Sequence, residues 1–180
     1  MAAEAPPAEI GTRAPDFELP GTDGLLHRLR DLAGARGTVI AFICNHCPYV
    51  QAILPRLARD ARELASIGVN VVAINANDAE AYPEDSFQRM VEIAPSLPFP
   101  YLHDESQAVA RAYGAVCTPD FFGYDAKLEL RYRGRLDASG RAPAPPGARR
   151  ELFEAMRLVA ESGHGPADQR AGIGCSIKWR

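Results

Sequence analysis

The sequence predicts one α/β domain, a central mixed β-sheet flanked by helices, and three observations carry that reading. The 180 residues are 47% hydrophobic and 24% charged, enough to bury one core and short for two. Two short runs rich in β-branched residues, Thr38 to Ile43 and Val69 to Ile74, suit strands covered on both faces by helices. Stretches with apolar residues three and four apart separate and follow them, the spacing of amphipathic helices packed on a sheet.

Residues 1–13 are rich in Ala, Pro and Glu and read as a flexible N-terminus, ahead of a domain at 14–162. Ala14 to Leu19 alternates polar and apolar, Gly21-Thr-Asp-Gly24 turns, and Leu25 to Leu29 returns, giving an N-terminal β-hairpin extension. Asp31 to Gly34 reads as a helical turn. Pro48 to Ile67 carries Val50, Ile53, Leu54, Leu57, Ala61 and Leu64 as a helical stripe; Pro55 is expected to kink this helix and Gly68 to end it. Helices are expected over Glu84–Ala94 and Glu105–Tyr113, with a short strand, Phe99–Leu102, between them. Phe121–Tyr124 and Leu128–Tyr132 read as a hairpin, 137–148 as loop, and Arg149–Glu161 as a closing helix. Residues 163–180 form a Gly-containing tail expected to pack on or near the domain, with Ile173, Ile177 and Trp179 available to hold it.

Composition narrows the function. The net charge is −3 and no Lys/Arg cluster occurs, so no nucleic-acid or membrane partner is expected. No stretch approaches the roughly 18 apolar residues of a membrane span. The first ten residues lack the basic and apolar regions of a secretory signal, so the expected compartment is the cytoplasm. Four cysteines, Cys44, Cys47, Cys117 and Cys175, are too sparse for a disulfide scaffold and point to catalysis or metal binding.

The chemistry centres on Cys44-Asn45-His46-Cys47, which joins a predicted strand to a predicted helix. A C-x-x-C at such a junction in an α/β chain signals thioredoxin-like redox chemistry. With Cys44 at the helix N-cap and Cys47 at N3, both sulfurs lie on one side of the first turn. Cys44 is then the more exposed, attacking thiol, and Cys47 the resolving one. The helix end can contribute at most about 2 kcal/mol, enough to bring a thiol from about 8.5 to about 7. His46, if protonated, adds a second positive charge beside Cys44. Zinc normally takes four ligands from paired segments, and here no second Cys pair exists and the four histidines are scattered. No metal or other cofactor is therefore expected, and a metal- or partner-binding module built on Cys44, Cys47 and Cys117 stands as an alternative.

Four signatures together resemble a thioredoxin-fold redoxin of the AhpC/TSA kind, within the peroxiredoxin-like group of bacterial thioredoxin-family proteins. They are Ala14-Pro-Asp-Phe-Glu-Leu19 with Asp31-Leu-Ala-Gly34; Phe42-Ile-Cys-Asn-His-Cys-Pro-Tyr-Val50; Ile74-Asn-Ala-Asn-Asp78 with Tyr82-Pro-Glu-Asp-Ser86; and Tyr113-Gly-Ala-Val-Cys-Thr-Pro-Asp-Phe-Phe122 with Gly174-Cys-Ser-Ile-Lys-Trp179. The resemblance implies that Pro119, after Thr118, is a cis-proline facing the active-site disulfide. Cys117 then comes within reach of Cys44; it reads foremost as a small buried hydrophobe, and otherwise as an alternative resolving thiol or third metal ligand. Cys175 either resolves an oxidised Cys44 or merely sits in a stapled tail. Asn77, Asp78 and Arg135 read as solvated turn residues. His at the second x position resembles strongly oxidising C-P-H-C centres, with Asn45 in place of the proline.

The expected activity is thiol–disulfide exchange in redox homeostasis, with protein or small-molecule disulfides as substrates and a thiol reductant as electron donor. The enzyme alternative is an antioxidant thiol peroxidase. Peroxiredoxins carry P-x-x-x-(T/S)-x-x-C, and counting back from Cys44 finds Ala41 at the hydroxyl position and Gly37 at the proline position. The arginine of that family falls near Thr118-Pro119, so disulfide exchange is favoured over peroxide reduction.

Overall fold

The computed structural model describes all residues, 1–180. In chain order its elements are β1 (Ala2–Glu4), β2 (Glu18–Pro20), β3 (Leu26–Arg28), α1 (Leu29–Leu32), β4 (Gly37–Phe42), α2 (Pro48–Ala65) and β5 (Val69–Asn75). There follow α3 (Phe87–Ile93), β6 (Tyr101–His103), α4 (Ala108–Tyr113), β7 (Cys117–Thr118), β8 (Asp120–Asp125), β9 (Leu130–Gly134), α5 (Glu151–Ser162) and β10 (Ile173–Ser176).

Five strands form the central sheet in the order β6-β5-β4-β8-β9. β4, β5 and β6 run parallel, while β8 and β9 are antiparallel to their neighbours. All six residues of β4 are buried, as a central strand covered on both faces requires. Its alternate side chains feed two cores. Val39 and Ala41 pack with Leu57 and Leu64 of α2 and Met156 and Val159 of α5. Ile40 and Phe42 pack on the other face with Phe17, Leu102, Tyr113 and Phe122. Gly123, in mid-β8, lets α5 approach: a Cβ there would lie 2.4 Å from the Met156 sulfur.

The predicted hairpin forms as β2 and β3 but stands apart as a two-stranded sheet. Three other expectations change. Residues 1–13, expected to be flexible, carry β1, which pairs with β10; Ala5 N donates to Gly172 O, and Gly11 N to Leu130 O. Backbone pairing, not side-chain burial, holds this segment, so composition gave no sign of it. The Glu84–Ala94 helix divides into a tight turn at Pro83–Asp85 and α3, which starts where the Ser86 side chain caps Arg89 N. The next helix starts late, at Ala108, because Gln107 takes a left-handed φ of 64°.

β10 was not foreseen as a strand. It lies between β1 and β7 in a third, three-stranded sheet and so binds both chain ends to the segment before Pro119. Gly174 permits this: a Cβ there would meet Thr118 O at 2.1 Å.

Candidate active site

α2 begins at Pro48, as the helical stripe predicts, and its N-cap is Cys47 rather than the Cys44 on which the thiolate expectation rests. Pro at the first helical position suits this start, since its missing N–H would have no partner there. Cys44 therefore sits in the loop between β4 and α2 rather than at the cap. Both thiols are buried, Cys44 at 2% and Cys47 at 0% exposure, so neither stands open to solvent. The loop reaches solvent at the half-buried Asn45 and His46.

Thr118 joins the two cysteines. Its hydroxyl lies 3.4 Å from Cys44 Sγ, and its carbonyl oxygen lies 3.3 Å from Cys47 Sγ. The Thr118–Pro119 bond is cis, as the resemblance implies. The cis bond ends β7 and opens β8 beside β4, which brings this carbonyl to the C-x-x-C. Thus Cys44, Cys47, Thr118 and Pro119 come together, with Asn45 and His46 at the rim.

The charge settles on the sulfur opposite to the one expected. Cys47 is held down to about 4 by a hydrogen bond from the Cys44 thiol, against the cost of burial; the Cys175 thiol and the Val50 and Cys175 N–H groups assist. Cys44 is pushed well above the ordinary thiol value because it donates to Cys47, because it is buried, and because Asp85 lies near. The helix-end donors thus serve Cys47, its N-cap. The two shifts run in opposite directions because one proton between the sulfurs favours a single thiolate on the pair.

Asp85, which the sequence reading did not single out, organises the loop. It is fully buried. Its Oδ1 accepts from Asn45 N at 2.7 Å and His46 N at 3.2 Å. Its Oδ2 accepts from His46 Nδ1 at 2.5 Å and Asn77 Nδ2 at 2.7 Å. His46 also stacks on Tyr82 at 5.7 Å, so its ring is anchored to the loop after β5 instead of standing free beside Cys44. Asn45 bonds Glu84 O and the Tyr101 hydroxyl. The one signal for Asp85 was its position in Tyr82–Ser86, downstream of β5, since loops from adjacent parallel strands gather at one sheet edge.

Asn77 is buried rather than solvated, and it links Asp85 to Lys178 N at the tail. Asp78 pairs with Arg180, and Arg135 is engaged by Glu151 at 2.8 Å. Cys117 is buried, its pKa raised to about 12 mainly by burial, and its thiol turns to Pro119 O. The group that could offer three ligand atoms is Cys44, His46 and Asp85, within 4.8 Å of one another. Cys117 is not part of that group. Asp85 already accepts four hydrogen bonds, which occupy its lone pairs.

A mixed sheet with a C-x-x-C after its central strand and a cis-proline opposite defines the thioredoxin-like class of folds. The exposed lipoprotein thioredoxin of Streptococcus pneumoniae superposes with a TM-score of 0.58 at 22% identity, over 82% of this chain and 98% of that one. Residues 10–133 match the AhpC/TSA family, and the chain belongs to it. An uncharacterized conserved protein from Geobacillus kaustophilus is 44% identical, with a TM-score of 0.94 over 100% of this chain and 97% of that one. The thiol-disulfide oxidoreductase ResA of Halalkalibacterium halodurans is 33% identical over 107 residues, 59% of this chain. The match spans 57% of that relative's length. No helix here is long and apolar enough to cross a membrane.

Proposed function

We propose that this protein is a thiol–disulfide oxidoreductase whose Cys44–Cys47 dithiol exchanges with protein or small-molecule disulfides and is recycled by a thiol reductant in the cytoplasm. One observation carries the reading: both sulfurs converge on Thr118, next to cis-Pro119. A proton shift from Cys44 to the Cys47 thiolate makes Cys44 the nucleophile, with the Thr118 hydroxyl placed to donate to it. Cys44 attacks a substrate disulfide and expels one thiolate. Cys47 then attacks Cys44 Sγ, releases the second thiolate and leaves the Cys44–Cys47 disulfide.

A reduced form stabilised by a thiolate makes the disulfide more oxidising. The expected reduction potential is therefore above the about −270 mV of thioredoxin, measured against glutathione by mass mapping. Cys47→Ser should trap a mixed disulfide on Cys44. A wild-type protein that closes no Cys44–Cys47 bridge would refute the proposal.

Peroxide chemistry is the weaker reading. Ala41 is buried in β4 without a hydroxyl, although Thr118 supplies one from across the fold. The position of the family arginine falls near Thr118-Pro119, which leaves the transferring oxygen without its usual cation. Losing one oriented donor commonly costs about 10²–10³ in rate. Stopped-flow oxidation by hydrogen peroxide should accordingly be far slower than in dedicated peroxidases.

A further inference from the structure

Cys175 lies directly across the antiparallel β10–β7 pairing from Thr118, the residue that contacts both Cys44 and Cys47. Its half-buried side chain packs against the hydrophobic cluster that contains Cys47. Gly174, on the preceding position, has no room for a side chain against Thr118, so β10 is pressed onto this segment. The three thiols thus surround one residue, with Cys175 nearest to solvent and Cys117 turned away.

From this geometry we infer that Cys175 is a third redox thiol, which forms a disulfide with Cys47 in exchange with the Cys44–Cys47 disulfide. The inference rests on the dithiol reading above and extends it. In the step, Cys175 loses its proton and its sulfur attacks Cys47 Sγ. The Cys47–Cys175 bond forms as Cys44–Cys47 breaks, and the electron pair and proton end on Cys44. No external oxidant is consumed. The exchange moves the oxidised bond from the loop side of the site to the strand that holds both chain ends.

The test uses the full chain and oxidised glutathione, a small disulfide that yields two glutathione thiols for each bridge closed. Cys44→Ser, oxidised and mapped without reduction, should lose two titratable thiols and contain a Cys47–Cys175 bridge. Cys117→Ser in the same background should leave that bridge in place. Wild type equilibrated with glutathione should hold Cys47–Cys175 as a minor isomer, absent from Cys175→Ser; this second measurement does not depend on the folding of the Cys44 variant. A wild type that closes Cys44–Cys47 while neither protein yields Cys47–Cys175 overturns the role of Cys175 and leaves the dithiol function standing. A wild type that closes no bridge at Cys44–Cys47 overturns both.

Discussion

At the scale of single residues, the site is governed by two buried groups whose roles depend on each other, Cys47 and Asp85. Folding lowers the Cys47 pKa from 9.0 to about 4, so the reduced native state binds fewer protons than the unfolded chain across that window. This contribution is fully present above pH 9 and is lost as pH falls toward 4. Above pH 9 the raised Cys44 opposes it, since the unfolded chain then releases a proton that the native state retains. Reduced wild type, compared with Cys47→Ser in urea from pH 5 to 8, should show a stability advantage that grows with pH. Thiolate absorbance at pH 7 should report one thiolate per chain and none at position 47 in the variant. For Asp85→Asn, one accepting oxygen becomes an NH₂ facing the donors His46 Nδ1 and Asn77 Nδ2. Leaving such buried groups unpaired costs about 1–3 kcal/mol, readable as a lower urea midpoint. Removing the charge should also bring Cys44 down toward the ordinary thiol value in the same absorbance titration. The C-x-x-C was legible from its spacing at a strand–helix junction, and the cis-proline only from the resemblance to the redoxin family. The proton distribution was not, because it follows from which cysteine caps α2 and from the Cys175 and Asp85 neighbours that only the tertiary fold brings to the pair.

Among the elements, the strands of the central sheet were readable because burial on both faces leaves continuous apolar runs, as in Val69 to Ile74. β1 and β10 were not, because a short strand held by backbone pairing needs no hydrophobic pattern. Ala2-Ala3-Glu4 and Ile173-Gly-Cys-Ser176 look like coil until their register is known. Pro55 lies inside α2 with its ring on the exposed side, and the helix runs on through it to Ala65. The element-scale prediction concerns Gly174→Ala. The new methyl group would fall 2.1 Å from Thr118 O and 2.5 Å from Thr118 C, backbone atoms that cannot move aside alone. Overpacking of this kind costs about 1–3 kcal/mol. It should appear as faster amide exchange in β10 and β1 while β4 and β5 stay protected. Because Cys175 moves with β10, the Cys47 thiolate should lose two of its donors and titrate at higher pH.

Across the whole molecule, two apolar cores clamp the central sheet, and the site sits where its first core meets the edge of the small sheet. The fold class could be read from composition and strand–helix alternation, but the small sheet that closes the chain on itself could not. That closure has a consequence for how the chain can be cut and rejoined. Ser176 N donates to Met1 O at 3.0 Å, and four residues of extended chain, at most about 14 Å, separate Ser176 from Arg180. A Gly/Ser bridge of about five residues spans about 12 Å, so the present ends can be fused and new ends opened in the exposed loop near Gly147. Such a circular permutant should fold cooperatively and still close the Cys44–Cys47 disulfide, as read by urea unfolding and thiol mapping. Opening the chain between Gly172 and Cys175 instead should separate β10 from the domain and leave Thr118 without the strand that now backs the redox centre.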